Sequence, residues 1–174
     1  MRRIYFALLF LSSTLWGQNP ADYNFVLDGT TTRWQKVYVV DAPCTPEAIS
    51  HGIMSVGGVK DLTIVNDLVT FSLEIEPPEY KELGYTFMNR SIFVRHPITA
   101  NVSIQTKENR YRVTVSNIMC HIDNDKYPPR NLNDMNTITT GDYTERYRKI
   151  TMEILDYDFN KRFSSLIENQ DDDW

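Results

Sequence analysis

Residues 120–125 (CHIDND) crowd a thiol, an imidazole and two carboxylates into six positions. A thiolate beside imidazole and carboxylates could bind zinc or act as a nucleophile. Neighbouring residues on an extended strand point to opposite faces, so Cys120 and His121 would not converge there. Asp123, Asn124 and Asp125 fail as a calcium loop, because neither the glycine nor the distal glutamate of such a loop falls in place. A polar turn after a strand is the stronger reading. The other histidines, His51 and His96, stand in no HExxH or comparable ligand spacing. There is no nucleophile elbow and no phosphate-cradling loop, and Gly57-Gly58 reads as a helix stop. The sequence therefore nominates no catalytic residue, no metal ligand and no cofactor site. The alternative is an exported enzyme, a hydrolase, whose site would be assembled from distant residues such as His96, His121 and Asp123.

Cys44 and Cys120 are the two cysteines. In an oxidising compartment such a pair invites a disulfide closing a long loop, worth about 2–4 kcal/mol in the chain-entropy picture. Two buried thiols that never meet is the equal alternative.

The richest surface comes from strand alternation. In residues 69–76, Val69, Phe71, Leu73 and Ile75 share one face, and Thr70, Ser72, Glu74 and Glu76 share the other. A second hairpin can be registered. Pairing Thr106 with Tyr111, Ile104 with Val113 and Val102 with Val115, across a four-residue connection 107–110, puts every apolar partner on one side. The opposite face then carries Asn101, Ser103 and Gln105 beside Ser116, Thr114 and Arg112. Thr70, Ser72, Glu74, Asn101, Ser103, Gln105, Arg112 and Thr114 form a candidate binding face for a protein, peptide or glycan. The plainer explanation is the wet back of a one-sided antiparallel sheet.

The elements that hold this face follow from local signals. Residues 34–40 (WQKVYVV) read as a strand. Thr45 as cap, Pro46 at the first helical position and Glu47 in the first turn start a short helix. Residues 62–65 and 68–76 flank a tight turn at Asn66-Asp67, and Pro77-Pro78 ends the second strand. Residues 91–95 suggest another short strand. Residues 121–142 form a long polar loop. A helix from Tyr143 carries one stripe (Tyr143, Tyr147, Ile150, Ile154), and Phe159, Phe163, Leu166 and Ile167 carry another, rotated well away. That rotation predicts a bend or break near residues 156–160.

The fold class is α+β: an antiparallel sheet of about five strands, a short helix after the first strand, and a long bent C-terminal helix packed on one face. An apolar ligand held between the curved sheet and that helix is a further reading.

Residues 1–17 fix the expected compartment. Arg2 and Arg3 precede an apolar run ending at Trp16, and Gly17 offers a small residue to cut after, the layout of a secretory signal peptide. The run is short for a bilayer span, which needs about 20 apolar residues, and nothing later approaches that length. The expected organisation is a signal peptide at 1–17, a linker at 18–33, one domain at 34–168 and an acidic tail at 169–174. The product would be periplasmic or secreted, without a stable membrane anchor. Loss of Arg2 and Arg3 leaves 16 basic against 23 acidic residues, a formal charge of −7. Such an acidic chain lacks the footprint that a phosphate backbone demands, which disfavours nucleic acid as a partner.

Residues 108–118 (ENRYRVTVSNI) add a resemblance. The run is similar to the terminal-strand signature of exported bacterial domains of unknown function with a TATA-binding-protein-like fold. Residues 34–38 and the hairpin around Asn66-Asp67 fall in the matching order, so the likeness covers roughly residues 34 to 167. It implies a fold and no activity, and fold alone does not import DNA binding. The expected role is a non-enzymatic binding or assembly domain of the bacterial envelope.

Overall fold

Alternation of apolar residues builds the sheet, and helices cover the side on which those residues fall. The computed structural model describes residues 23–29, 31–86, 89, 91–122, 128–134 and 141–167. The signal segment, Asp123 and the acidic tail lie outside them. Strands β1 (Phe25–Asp28) and β2 (Thr31–Val39) are followed by helix α1 (Pro46–Ile53). Strands β3 (Val59–Val65) and β4 (Leu68–Ile75) come next, then a 3-10 turn at Ile92–Arg95. Strands β5 (Ile98–Lys107), β6 (Arg110–Cys120) and β7 (Arg130–Asn131) lead to helix α2 (Gly141–Phe163). The antiparallel sheet runs β1-β2-β6-β5-β4-β3, with β7 also paired to β6.

Both hairpins hold, and so does the register of the second. Val65 pairs with Leu68, and Thr106, Ile104 and Val102 pair with Tyr111, Val113 and Val115. The second connection is shorter than expected, because Lys107 and Arg110 are themselves paired. Val69, Phe71, Leu73 and Ile75 are all buried, as are Val102, Ile104, Val113 and Val115. A one-residue slip would turn each of these sets to solvent.

Four expectations need correction. Among the described residues the sheet has seven strands rather than about five, because β1 and the start of β2 lie in the expected linker and β7 lies in the expected loop. The short helix accordingly follows the second strand. Residues 92–95 form a 3-10 turn and not a strand. Helix α2 runs unbroken through residues 156–160. Its two stripes need no break, because it is covered from two sides. Trp34 packs on Phe159 and Phe163 from the sheet. Residues 77–86 and 91–97 cover another flank, where Tyr85 donates to Glu153 (2.8 Å) and Ser91 bonds Thr151 (2.5 Å).

Helix α1 starts as its signals require, with Thr45 Oγ1 accepting from the Ala48 amide at 3.2 Å. Its Gly52 lies against the chain beyond α2: a Cβ there would stand 1.9 Å from the Leu166 carbonyl oxygen. Gly58 has φ +83° and nearly touches the Glu74 carbonyl, so it does more than stop a helix.

Candidate binding face

The side chains opposite the core line up in rows across the sheet. Backbone pairing places Gln35, Thr114, Ser103, Thr70 and Thr63 side by side on β2, β6, β5, β4 and β3. A parallel row holds Ser116, Asn101 and Ser72. All eight predicted face residues (Thr70, Ser72, Glu74, Asn101, Ser103, Gln105, Arg112 and Thr114) are partly or fully exposed on this one surface. Strand alternation makes this unavoidable once the inner face is apolar. Gln35 and Thr63 complete the longer row. Gln35 could have been found from its place between the inward Trp34 and Lys36, whereas the register shift between Lys60 and Thr63 hides Thr63.

The face is lightly tied. Gln35 Nε2 donates to Thr114 Oγ1 at 3.1 Å, and Arg112 Nη2 donates to Gln105 Oε1. Ser116 Oγ reaches the Asn101 carbonyl only at 3.4 Å. At one end Lys60 pairs with Glu74, which holds the Glu74 carboxyl below its ordinary range by a charged hydrogen bond. Chemically the surface is a field of short hydroxyls and amides able to donate and accept.

The histidine candidates stay apart from any assembled site. His121 Nε2 lies 2.7 Å from Thr99 Oγ1, a spacing compatible with a base beside a hydroxyl. Asp123 falls outside the described residues, His96 is half-buried after the 3-10 turn, and His51 is exposed on α1. Among the described residues no three of histidine, cysteine, aspartate and glutamate gather as a metal would require. The space between sheet and α2 holds Trp34, Tyr111, Phe159 and Phe163, each fully buried. Aromatic packing fills the place where an apolar cargo would sit.

The cysteines do not meet. Both are free and buried. The Cys44 amide donates to the Glu108 carbonyl at one end of β6, whereas Cys120 closes the other end. Ten strand residues separate those ends by about 33 Å, far beyond disulfide reach.

An α+β domain with helices on one face of a strongly antiparallel sheet is the architecture of TATA-binding-protein-like domains, and two solved structures share it. One is a TBP-like protein from Parabacteroides distasonis, at TM-score 0.53 and 15% identity, covering 81% of this chain and 96% of that one. The other is a DUF4468 family protein from Bacteroides ovatus, at TM-score 0.50 and 6% identity, covering 86% and 93%. The likeness is one of fold. No family model matches the chain, and no curated protein matches it.

Proposed function

We propose that this chain is an exported, non-enzymatic domain, periplasmic or secreted, that acts by binding or assembly through the outer face of its sheet. The observation that carries the reading is the five-strand row from Gln35 to Thr63, which no described element covers while α1 and α2 cover the opposite face. Uncharged hydroxyls and amides are cheap to desolvate compared with ions, and each must find a partner once buried. Such a row suits a protein, peptide or glycan that offers its own hydrogen-bonding groups. The layout of residues 1–17 supports export. No helix among the described residues is long and apolar enough to cross a membrane.

The test is native mass spectrometry of the protein purified from its own host's envelope fraction, wild type against the Arg112→Glu, Thr114→Glu double variant. A discrete added mass present only in the wild type, at an unchanged thermal midpoint, supports the face. The same mass in both proteins, or none in either, overturns it. Deleting residues 1–17 should retain the chain inside the cell; undiminished export would overturn that part.

A further inference from the structure

Strand β1 covers only part of the edge of β2. Their pairs run from Asp28–Thr31 to Phe25–Trp34, and the last rung is the Gln35 amide donating to the Asn24 carbonyl at 2.8 Å. Beyond that rung the described chain leaves the edge. Tyr23 has φ +53°, and its hydroxyl donates to Glu153 Oε2 on α2 at 2.6 Å. Among the described residues no strand pairs with residues 36–39 on that side.

Two hydrogen bonds fix which backbone groups face the gap. The Gln35 N–H points toward β1, whereas the Val40 N–H points the other way, to the Asn109 carbonyl beside β6. Alternation between them turns Lys36 and Tyr38 toward their β6 partners Val113 and Tyr111, and aims the N–H and C=O of Val37 and Val39 out of the sheet. Such unpaired groups are a template for a further strand, which natural sheets ordinarily blunt or cover. Here the same two residues are also 49% and 79% exposed, so the edge keeps an apolar flank. On the other flank Lys36 is half-buried and donates to Asn160 Oδ1, with no carboxylate partner among the described residues.

We propose that residues 36–39 accept an extended peptide of a partner protein as an added strand, antiparallel to β2 and following on from β1. Main-chain bonds would supply affinity and alternate side chains specificity. Residues directly opposite in an antiparallel pair share a face. The peptide therefore reads, from its N-terminus, apolar, any, apolar, acidic, with the apolar residues opposite Val39 and Val37 and the acid opposite Lys36. Four residues of edge bury far less than the roughly 1,200 Å² of a stable interface between folded proteins, which favours a short flexible segment over a second folded copy. None of these four residues belongs to the row or to the eight face residues described above, and the edge site stands or falls without them.

The test is fluorescence anisotropy of a dye-labelled hexapeptide, Ser-Val-Thr-Val-Glu-Ser, titrated with the full chain, together with amide hydrogen exchange. Binding should saturate. The Val37 and Val39 amides should exchange fast in the free protein and slowly in the complex, while Lys36 and Tyr38 stay protected in both. The double variant Val37→Pro, Val39→Pro removes two outward donors and no bond to β6, a position where edge strands tolerate proline. It should weaken binding by about tenfold or more. Should that variant misfold, Lys36→Glu serves: it should bind the hexapeptide less tightly than a version with lysine in place of its glutamate, reversing the wild-type order. These readouts do not depend on the mass sought for the outer face, so either proposal can fail alone. Absence of saturable binding overturns the edge site, as does undiminished binding by the proline variant or an unreversed order in Lys36→Glu. Protection of Val37 and Val39 in the free protein also overturns it. If constant with concentration it would report an edge filled by its own chain, and if growing with concentration, one filled by a second copy.

Discussion

The indole Nε1 of Trp34 donates to Asp156 Oδ1 at 2.7 Å, joining β2 to α2 across 122 positions of chain. The same oxygen accepts from the Asn24 amide and side chain, at 3.2 and 2.6 Å, so one carboxylate gathers β2, α2 and the approach to β1. Trp34 is fully buried, and removing the acceptor leaves its N–H without a protein partner. Asp156→Ala should lower unfolding free energy by about 3 kcal/mol, the upper range for a hydrogen bond to a charged group. Asp156→Asn, which keeps a carbonyl oxygen, should lose less. Urea denaturation checks both, and wild-type midpoints for the two variants would show that the bond adds no net stability.

Gly52 sits in a helix, where alanine ordinarily gains about 0.5–1 kcal/mol. Here the sign should reverse, because the new Cβ would meet the Leu166 carbonyl at 1.9 Å and backbone must move. Gly52→Ala should lose about 1–3 kcal/mol, as overpacking does. Gly57→Ala, with nothing within 4 Å of its added methyl, should be close to neutral. Thermal melts of the two single variants make the comparison.

Burial raises the Tyr111 hydroxyl to about 12, and burial followed by the hydrogen bond to Glu153 raises Tyr85 to about 12. Tyr23 and Tyr38 move in the same direction, again chiefly through burial. A phenol whose folded pKa lies above its ordinary 10.0 is held neutral by the fold. Its contribution is complete below pH 10 and is lost as pH rises from 10 to about 12. Stability should therefore be insensitive to these tyrosines at neutral pH and fall through that alkaline window. Tyrosinate absorbance and circular dichroism, followed together, should show these phenols ionising with unfolding. Their complete titration at pH 10 with structure intact would contradict this.

Burial also pushes the Cys120 thiol up to about 11 and raises Cys44. Both thiols should resist alkylation in the native protein at neutral pH and react fully once unfolded. Non-reducing peptide mapping should find both free, even after air oxidation. A linked pair would require the two ends of β6 to meet.

Much of this architecture was legible in local sequence. Strict alternation at Val69–Ile75 determined the inward side of one strand, and the pairing of 102–106 with 111–115 determined the register of the second hairpin, since a slip exposes every apolar residue. The same alternation named the polar face, because whatever does not point inward must point out. Thr45, Pro46 and Glu47 placed α1 through backbone groups only a turn away. What depends on contacts far along the chain was decided by tertiary structure alone. β1 has only four residues and β7 only two, too few to show an alternation, and they exist because β2 and β6 offer them partners. Helix α2 looked broken because periodicity assumes one buried side, while the folded chain covers it from two. The separation of Cys44 from Cys120 likewise comes from topology: pairing brings distant residues together or holds neighbours of a motif apart, and no spacing along the chain records which.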